Sequence, residues 1–138
     1  MTQDSFEAAG AICGPEPGLS AIIIDDQRGL AESLAERLAL DGIRCTVTTT
    51  ASQGLEACAN NNFDVAFVDL NLPDMSGLAA ASELKRLSRA LRVVLVTGFA
   101  TGLDDIDLCA PQVDVVLPKP WRPAELENLL HSLKRREQ

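Results

Sequence analysis

The chain has 138 residues, 46% hydrophobic and 23% charged, the composition of one globular domain with an ordinary core. A net charge of −8 and a pI near 4.5 argue against a nucleic-acid-binding surface, and no apolar stretch reaches the roughly 20 residues that span a bilayer. The amino end lacks a secretory signal, and Cys13, Cys45, Cys58 and Cys109 form no CxxC pair, so the expectation is a cytoplasmic protein with reduced core thiols.

Residues 1–18, with Gly10, Gly14, Pro15, Pro17 and Gly18, read as a flexible leader. From Leu19 strand and helix signals alternate through 134, the single predicted domain, with 135–138 as a short basic tail. The first strand is Ala21–Asp25. A helix follows over about Arg28–Asp41, with Leu30, Leu34 and Leu38 on one face, and ends at Gly42. Ile43–Thr49 is β-branched and reads as the second strand. Thr50 caps the next helix, with Gln53 as the return half of a capping box, and the helix ends in Asn60-Asn61-Asn62. Strand three is Phe63–Asp69, followed by a helix over about Gly77–Arg89 with Leu84 and Leu87 on one face. Strand four is Leu91–Thr97, stopping at Gly98. The stretch Thr101–Ala110 is a weak helix closed by Pro111, and Val113–Leu117 is strand five. A last helix opens with Pro123 in its first turn and carries the stripe Leu126, Leu129, Leu130, Leu133.

Five near-continuous apolar strands separated by helices imply a parallel sheet covered on both faces, a doubly wound α/β sandwich. In such a sheet the functional site lies beyond the carboxyl ends of the strands. Those ends carry Asp25-Asp26, Asp69, Thr97 and, just past strand five, Lys119. Three neighbouring carboxylates repel one another, and unpaired burial would cost several kcal/mol. A magnesium ion, which takes carboxylate oxygens, solves that problem, while Lys119 offers a charge for an anion and Thr97 a directional hydroxyl. A carboxylate, a divalent cation, a lysine and a hydroxyl are the parts of a phosphoryl-transfer site, with Asp69 as acceptor.

From about Leu19 to Leu133 the chain resembles the receiver domain of two-component response regulators. The resemblance is carried by Asp25-Asp26, by Asp69-Leu-Asn-Leu-Pro-Asp-Met-Ser-Gly77, by Val-Thr97-Gly98 and by Lys119-Pro120-Trp121. It implies a flavodoxin-like five-stranded sheet in the order 2-1-3-4-5. It further implies that Asp69 takes a phosphoryl group from a histidine kinase or a histidine phosphotransfer protein. Asp26, Asp69 and the Asn71 backbone carbonyl would then bind Mg2+ directly and Asp25 through water, with Lys119 on the phosphoryl group, Thr97 moving to bond it and the Lys119–Pro120 peptide cis. The chain would catalyse only its own phosphorylation and dephosphorylation, and act as a monomer or weak dimer through protein contacts, with neither nucleic acid nor membrane as partner. Val116 departs from the pattern, because the family carries an aromatic switch residue there; Phe99 is the candidate substitute.

Blander readings stand beside these. Asp25-Asp26 suit a helix N-cap, Trp121 suits a packing anchor for the last helix, and His131 suits the surface. Two alternatives stay within the resemblance: a receiver segment of a larger hybrid sensor kinase, or a degenerate receiver that only binds proteins. A phosphatase of the haloacid dehalogenase type is disfavoured, because it wants an Asp two residues after the nucleophile and Asn71 stands there.

Overall fold

A computed structural model describes residues 19–98, 111–119 and 121–136, with side chains through 132. The leader 1–18, the weak helix 101–110, Phe99, Pro120, Cys13 and Cys109 lie outside the described residues. In chain order the elements are β1 (Ser20–Ile24), α1 (Arg28–Ala39), β2 (Arg44–Thr48), α2 (Ala51–Asn60), β3 (Val65–Asp69), α3 (Gly77–Leu87), β4 (Arg92–Thr97), β5 (Val115–Pro118) and α4 (Pro123–Arg136). The strands form one sheet in the expected order β2-β1-β3-β4-β5, and every pair is parallel.

Successive side chains of a strand point to opposite faces, so each inner strand feeds two cores. Ala21, Ile23, Val65, Phe67, Val94 and Val96 pack with Leu34 and Leu38 of α1 and with Leu126, Leu129 and Leu130 of α4. Ile22, Ile24, Ala66, Val68 and Val93 pack on the other side with Ala51 of α2 and with Ala80, Ala81 and Leu84 of α3. All five residues of β3 are buried, as a central strand of a doubly covered sheet must be. No described helix is long and apolar enough to cross a membrane.

The helix stripes are narrower than their leucines suggest. Leu34 and Leu38 are buried with Ala31, whereas Leu30 is 43% exposed; Leu84 is buried, whereas Leu87 is 49% exposed. Strict steps of four or three drift off the 3.6-residue turn, and the small Ala31, Ala80 and Ala81 complete the buried faces instead. Helix α1 stops where Gly42 takes φ 80° and the Ile43 N–H bonds back to the Leu38 carbonyl at 3.1 Å. Thr50 caps α2 as expected, its hydroxyl accepting from Gln53 N–H at 3.1 Å. The Gln53 amide oxygen reaches one residue further back than a capping box requires, to the Thr49 N–H at 3.1 Å.

The third and fifth strands each begin two residues later than their sequence pattern. Asp64 and Asp114 precede β3 and β5, and each carboxylate accepts a backbone N–H of a neighbouring strand: Ser20 at 2.8 Å and Val93 at 2.8 Å. Cys45 and Cys58 are free, half-buried thiols rather than core ones, packed against opposite faces of the sheet. Burial pushes them up to about 12 and about 11, which keeps both protonated and inert at neutral pH.

Candidate functional site at the carboxyl ends of the strands

The strand ends deliver Asp25, Asp26, Asp69 and Lys119 to one place, with Thr97 at the end of the adjoining strand. Asp25 follows β1, Asp69 ends β3 beside Val96 of β4, and Thr97 ends β4 beside Pro118 of β5. The Lys119 N–H donates to the Thr97 carbonyl at 2.8 Å, which extends the ladder by one bond and fixes the root of the lysine. Asp25, Asp69 and Thr97 are the buried polar residues among those described, while Asp26 is exposed.

One carboxylate oxygen from each of Asp25, Asp26 and Asp69 lies within 4.8 Å of the others. Opposite ligands of an octahedral Mg2+ stand about 4.2 Å apart, so the trio fits such an ion with modest side-chain adjustment. Asp25 is already engaged at both oxygens: Oδ1 accepts from Gln27 N–H at 2.9 Å and Oδ2 from Lys119 Nζ at 2.9 Å. Its oxygens are therefore less available for direct coordination than those of Asp26, in keeping with the water-mediated role that the resemblance implies for it. Lys119 Nζ stands 3.7 Å from Asp69 Oδ1, so Asp25 rather than the acceptor is its nearer partner.

Asp69 is held at about 6, above the ordinary 3.8. Burial is the main cause, reinforced by the charges of Asp25 and Asp26 and opposed by Lys119 and a hydrogen bond from the Asn71 N–H. One lysine does not neutralise three carboxylates, so the charges of Asp25 and Asp26 add to the effect of burial on Asp69.

The loop after Asp69 is tightly closed. Leu70 N–H donates to Val96 O at 2.9 Å, Gly77 N–H to Leu70 O at 2.7 Å, and Asn71 and Ser76 form an antiparallel bridge. Gly77 is required here: a Cβ at that position would collide with the Asp69 carbonyl and come within 2.7 Å of Leu70 Cα. Ser76 then caps α3, accepting from Ala79 N–H at 3.1 Å.

Val116 is half-buried and pairs with Leu95 in the ladder, leaving an aliphatic side chain where the switch aromatic was expected. Trp121 packs against the α1/α4 core, as a packing anchor should, and also lines an apolar cleft of about 390 Å³ with Leu30, Gly98 and Lys119. Two features of this region were missed in the sequence. Leu30 shares a face with Leu34 and Leu38 in the sequence pattern yet is exposed, and the partners of Asp74, taken up below, lie on α2.

Residues 21–131 match the response regulator receiver domain family. The transcriptional activator protein PfeR of Pseudomonas aeruginosa is 34% identical over 122 residues, which are 88% of this chain and 39% of PfeR. The receiver domain (CheY-like) of a response regulator from Methylobacillus flagellatus aligns with TM-score 0.77 at 32% identity, over 85% of this chain and 99% of the other. A response regulator protein from Burkholderia pseudomallei, in a structure with a phosphorylated aspartic acid, calcium ion and citrate, aligns with TM-score 0.70 at 26% identity, over 84% of this chain and 66% of that one. This chain spans only 39% and 52% of the first two curated relatives it matches.

Proposed function

The chain belongs to the response regulator receiver domain family of two-component systems, and from that premise we propose that Asp69 is its phosphoacceptor. One observation carries the reading: a buried carboxylate at a central strand end, 3.7 Å from a lysine and within a trio of carboxylates spaced for a divalent cation. Asp26 and Asp69, with the Asn71 carbonyl, would hold Mg2+, and Asp25 would hold one of its waters. When bound, the ion neutralises charge on the acceptor and the incoming phosphoryl group.

The chain's own residues do the rest. An Asp69 oxygen attacks the phosphorus of a phosphohistidine on a kinase or phosphotransfer protein; one P–O bond forms and one P–N bond breaks. The electron pair of the broken bond returns to the donor imidazole. Lys119, already close to both Asp25 and Asp69, pairs with the transferred group, and the Thr97 hydroxyl donates to one of its oxygens. Water attack on the acyl phosphate reverses the modification, so the chain acts on no substrate but itself. With an aliphatic Val116, the phosphorylated state is read through protein contacts that do not use the usual aromatic rearrangement.

The test is incubation with Mg2+ and a small phosphodonor, followed by intact mass. One added phosphoryl group on the native chain and none on Asp69→Asn is the expected result. An unlabelled native chain, or equal labelling of the variant, overturns the assignment.

A further inference from the structure

The acceptor loop Leu70–Ser76 is closed at its base by its own backbone, but its tip is fastened elsewhere. Asp74 accepts the Ala51 N–H on Oδ1 at 2.9 Å and the Ser52 N–H on Oδ2 at 2.9 Å. Both donors belong to the first turn of α2, 23 and 22 residues back in the chain. Helix α2 already has a cap of its own in Thr50, which serves Gln53 N–H. Two further first-turn N–H groups, which a helix leaves without internal partners, go to a side chain from the acceptor loop. Those bonds hold the Asp74 carboxyl below its ordinary range, favouring the ionised form that accepts both of them.

The far end of this connection is closely packed. Gly54 of α2 sits so close to β1 that a Cβ there would overlap Ile24 and approach Thr48 Oγ1 at 3.3 Å. Ile24 is the last residue of β1, immediately before Asp25-Asp26. Asp74 therefore ties the loop that follows Asp69 to the helix pressed against the strand carrying the other two carboxylates.

We propose that Asp74 is a positioning residue, whose paired hydrogen bonds set the distance between the Asn71 peptide beside Asp69 and the Asp25-Asp26 pair. In function the proposal rests on the phosphoacceptor reading, because the Asn71 carbonyl and Asp26 matter together only around a shared cation. In structure it stands alone. A plain helix cap would stabilise α2 and leave the acceptor loop indifferent, so the discriminating control removes a cap from the same helix without touching that loop.

Asp74→Ala, Asp74→Asn and Thr50→Ala are compared by thermal melting, amide exchange at Asn71, calorimetric titration with Mg2+ and the initial rate of phosphoryl uptake. Asp74→Ala is expected to bind Mg2+ about tenfold more weakly, the low end for loss of a group that orients a metal ligand, and to exchange faster at Asn71. Asp74→Asn keeps one acceptor oxygen and falls between. Thr50→Ala melts lower, as loss of a cap should, with Mg2+ affinity and Asn71 exchange as in the native chain. Equal changes in Asp74→Ala and Thr50→Ala, or unchanged Asn71 exchange in Asp74→Ala, overturn the tether. A native chain that binds no Mg2+ and takes up no phosphoryl group overturns the acceptor reading instead, and Asn71 exchange still decides the tether.

Discussion

The two edges of the sheet use the same residue type to opposite ends. At the amino edge, Asp64 accepts from the Ser20 N–H, and Asp114 accepts from the Val93 N–H and from Lys85 Nζ at 2.8 Å. Each carboxylate there has a backbone donor, and Asp114 also has a cation to itself. At the carboxyl edge, Asp25 and Asp69 share Lys119, Asp26 adds a third carboxylate, and Asp69 is raised to about 6. A carboxylate bonded across two strands staples them together; one buried among like charges keeps an unmet demand for positive charge, which is what a divalent cation can answer.

The sharpest way to break this contrast is to remove the lysine at each edge. Lys119→Ala should slow phosphoryl uptake on the order of a hundredfold, the scale for losing one charge-stabilising group, while Lys85→Ala leaves the rate alone. Rapid quench with a small phosphodonor reads both, and equal slowing would erase the distinction. Next in size, Asp114→Ala should cost about 1–3 kcal/mol in denaturant unfolding, because it leaves the Val93 N–H and Lys85 Nζ without that carboxylate, with uptake unchanged.

Asp69→Asn should act in the other direction on stability. Its raised value means that the folded chain favours the protonated form. The stability it contributes is full below about pH 4, declines as pH rises toward 6, and stays lost above. Without metal at pH 7.5, the variant should therefore be more stable by on the order of 1–3 kcal/mol, an advantage that vanishes below pH 4 and shrinks when Mg2+ is added to both proteins. Melting curves across that range check the sign. The smallest effect is expected at Val116: an aromatic there should enlarge the phosphorylation-dependent change in amide exchange at β5 and α4, and an identical pattern in both proteins would remove the case for an altered readout.

Much of this was legible in the sequence for a physical reason. Fully buried strands must be apolar runs, so Asp25, Asp69 and Lys119 stood out where such runs stopped, and the sheet rule brought those ends together. What stayed hidden was anything settled between segments distant in sequence. Asp64 and Asp114 read as lying inside strands that begin at Phe63 and Val113, because nothing local shows that their carboxylates serve Ser20 and Val93. Asp74 stood out only as part of the motif after Asp69, because its donors lie on α2, distant in sequence. Leu30 and Leu87 read as sharing a face with their buried neighbours because a leucine stripe looks continuous in one dimension, whereas burial follows the small alanines that let a helix approach the sheet.

The staples at the amino edge also bear on how the chain avoids misalignment. In a sheet with one wet face, a one-residue slip would turn apolar side chains to water and be rejected. Here both faces of β1, β3 and β4 are apolar, so a slipped strand would still find oil on either side. The polar locks break that degeneracy, since only one alignment sets Asp64 on Ser20 and Asp114 on Val93. Five steps of about 3.3 Å separate Asp64 from Asp69, so the proofreading of where Asp69 comes to rest happens roughly 17 Å away from the chemistry.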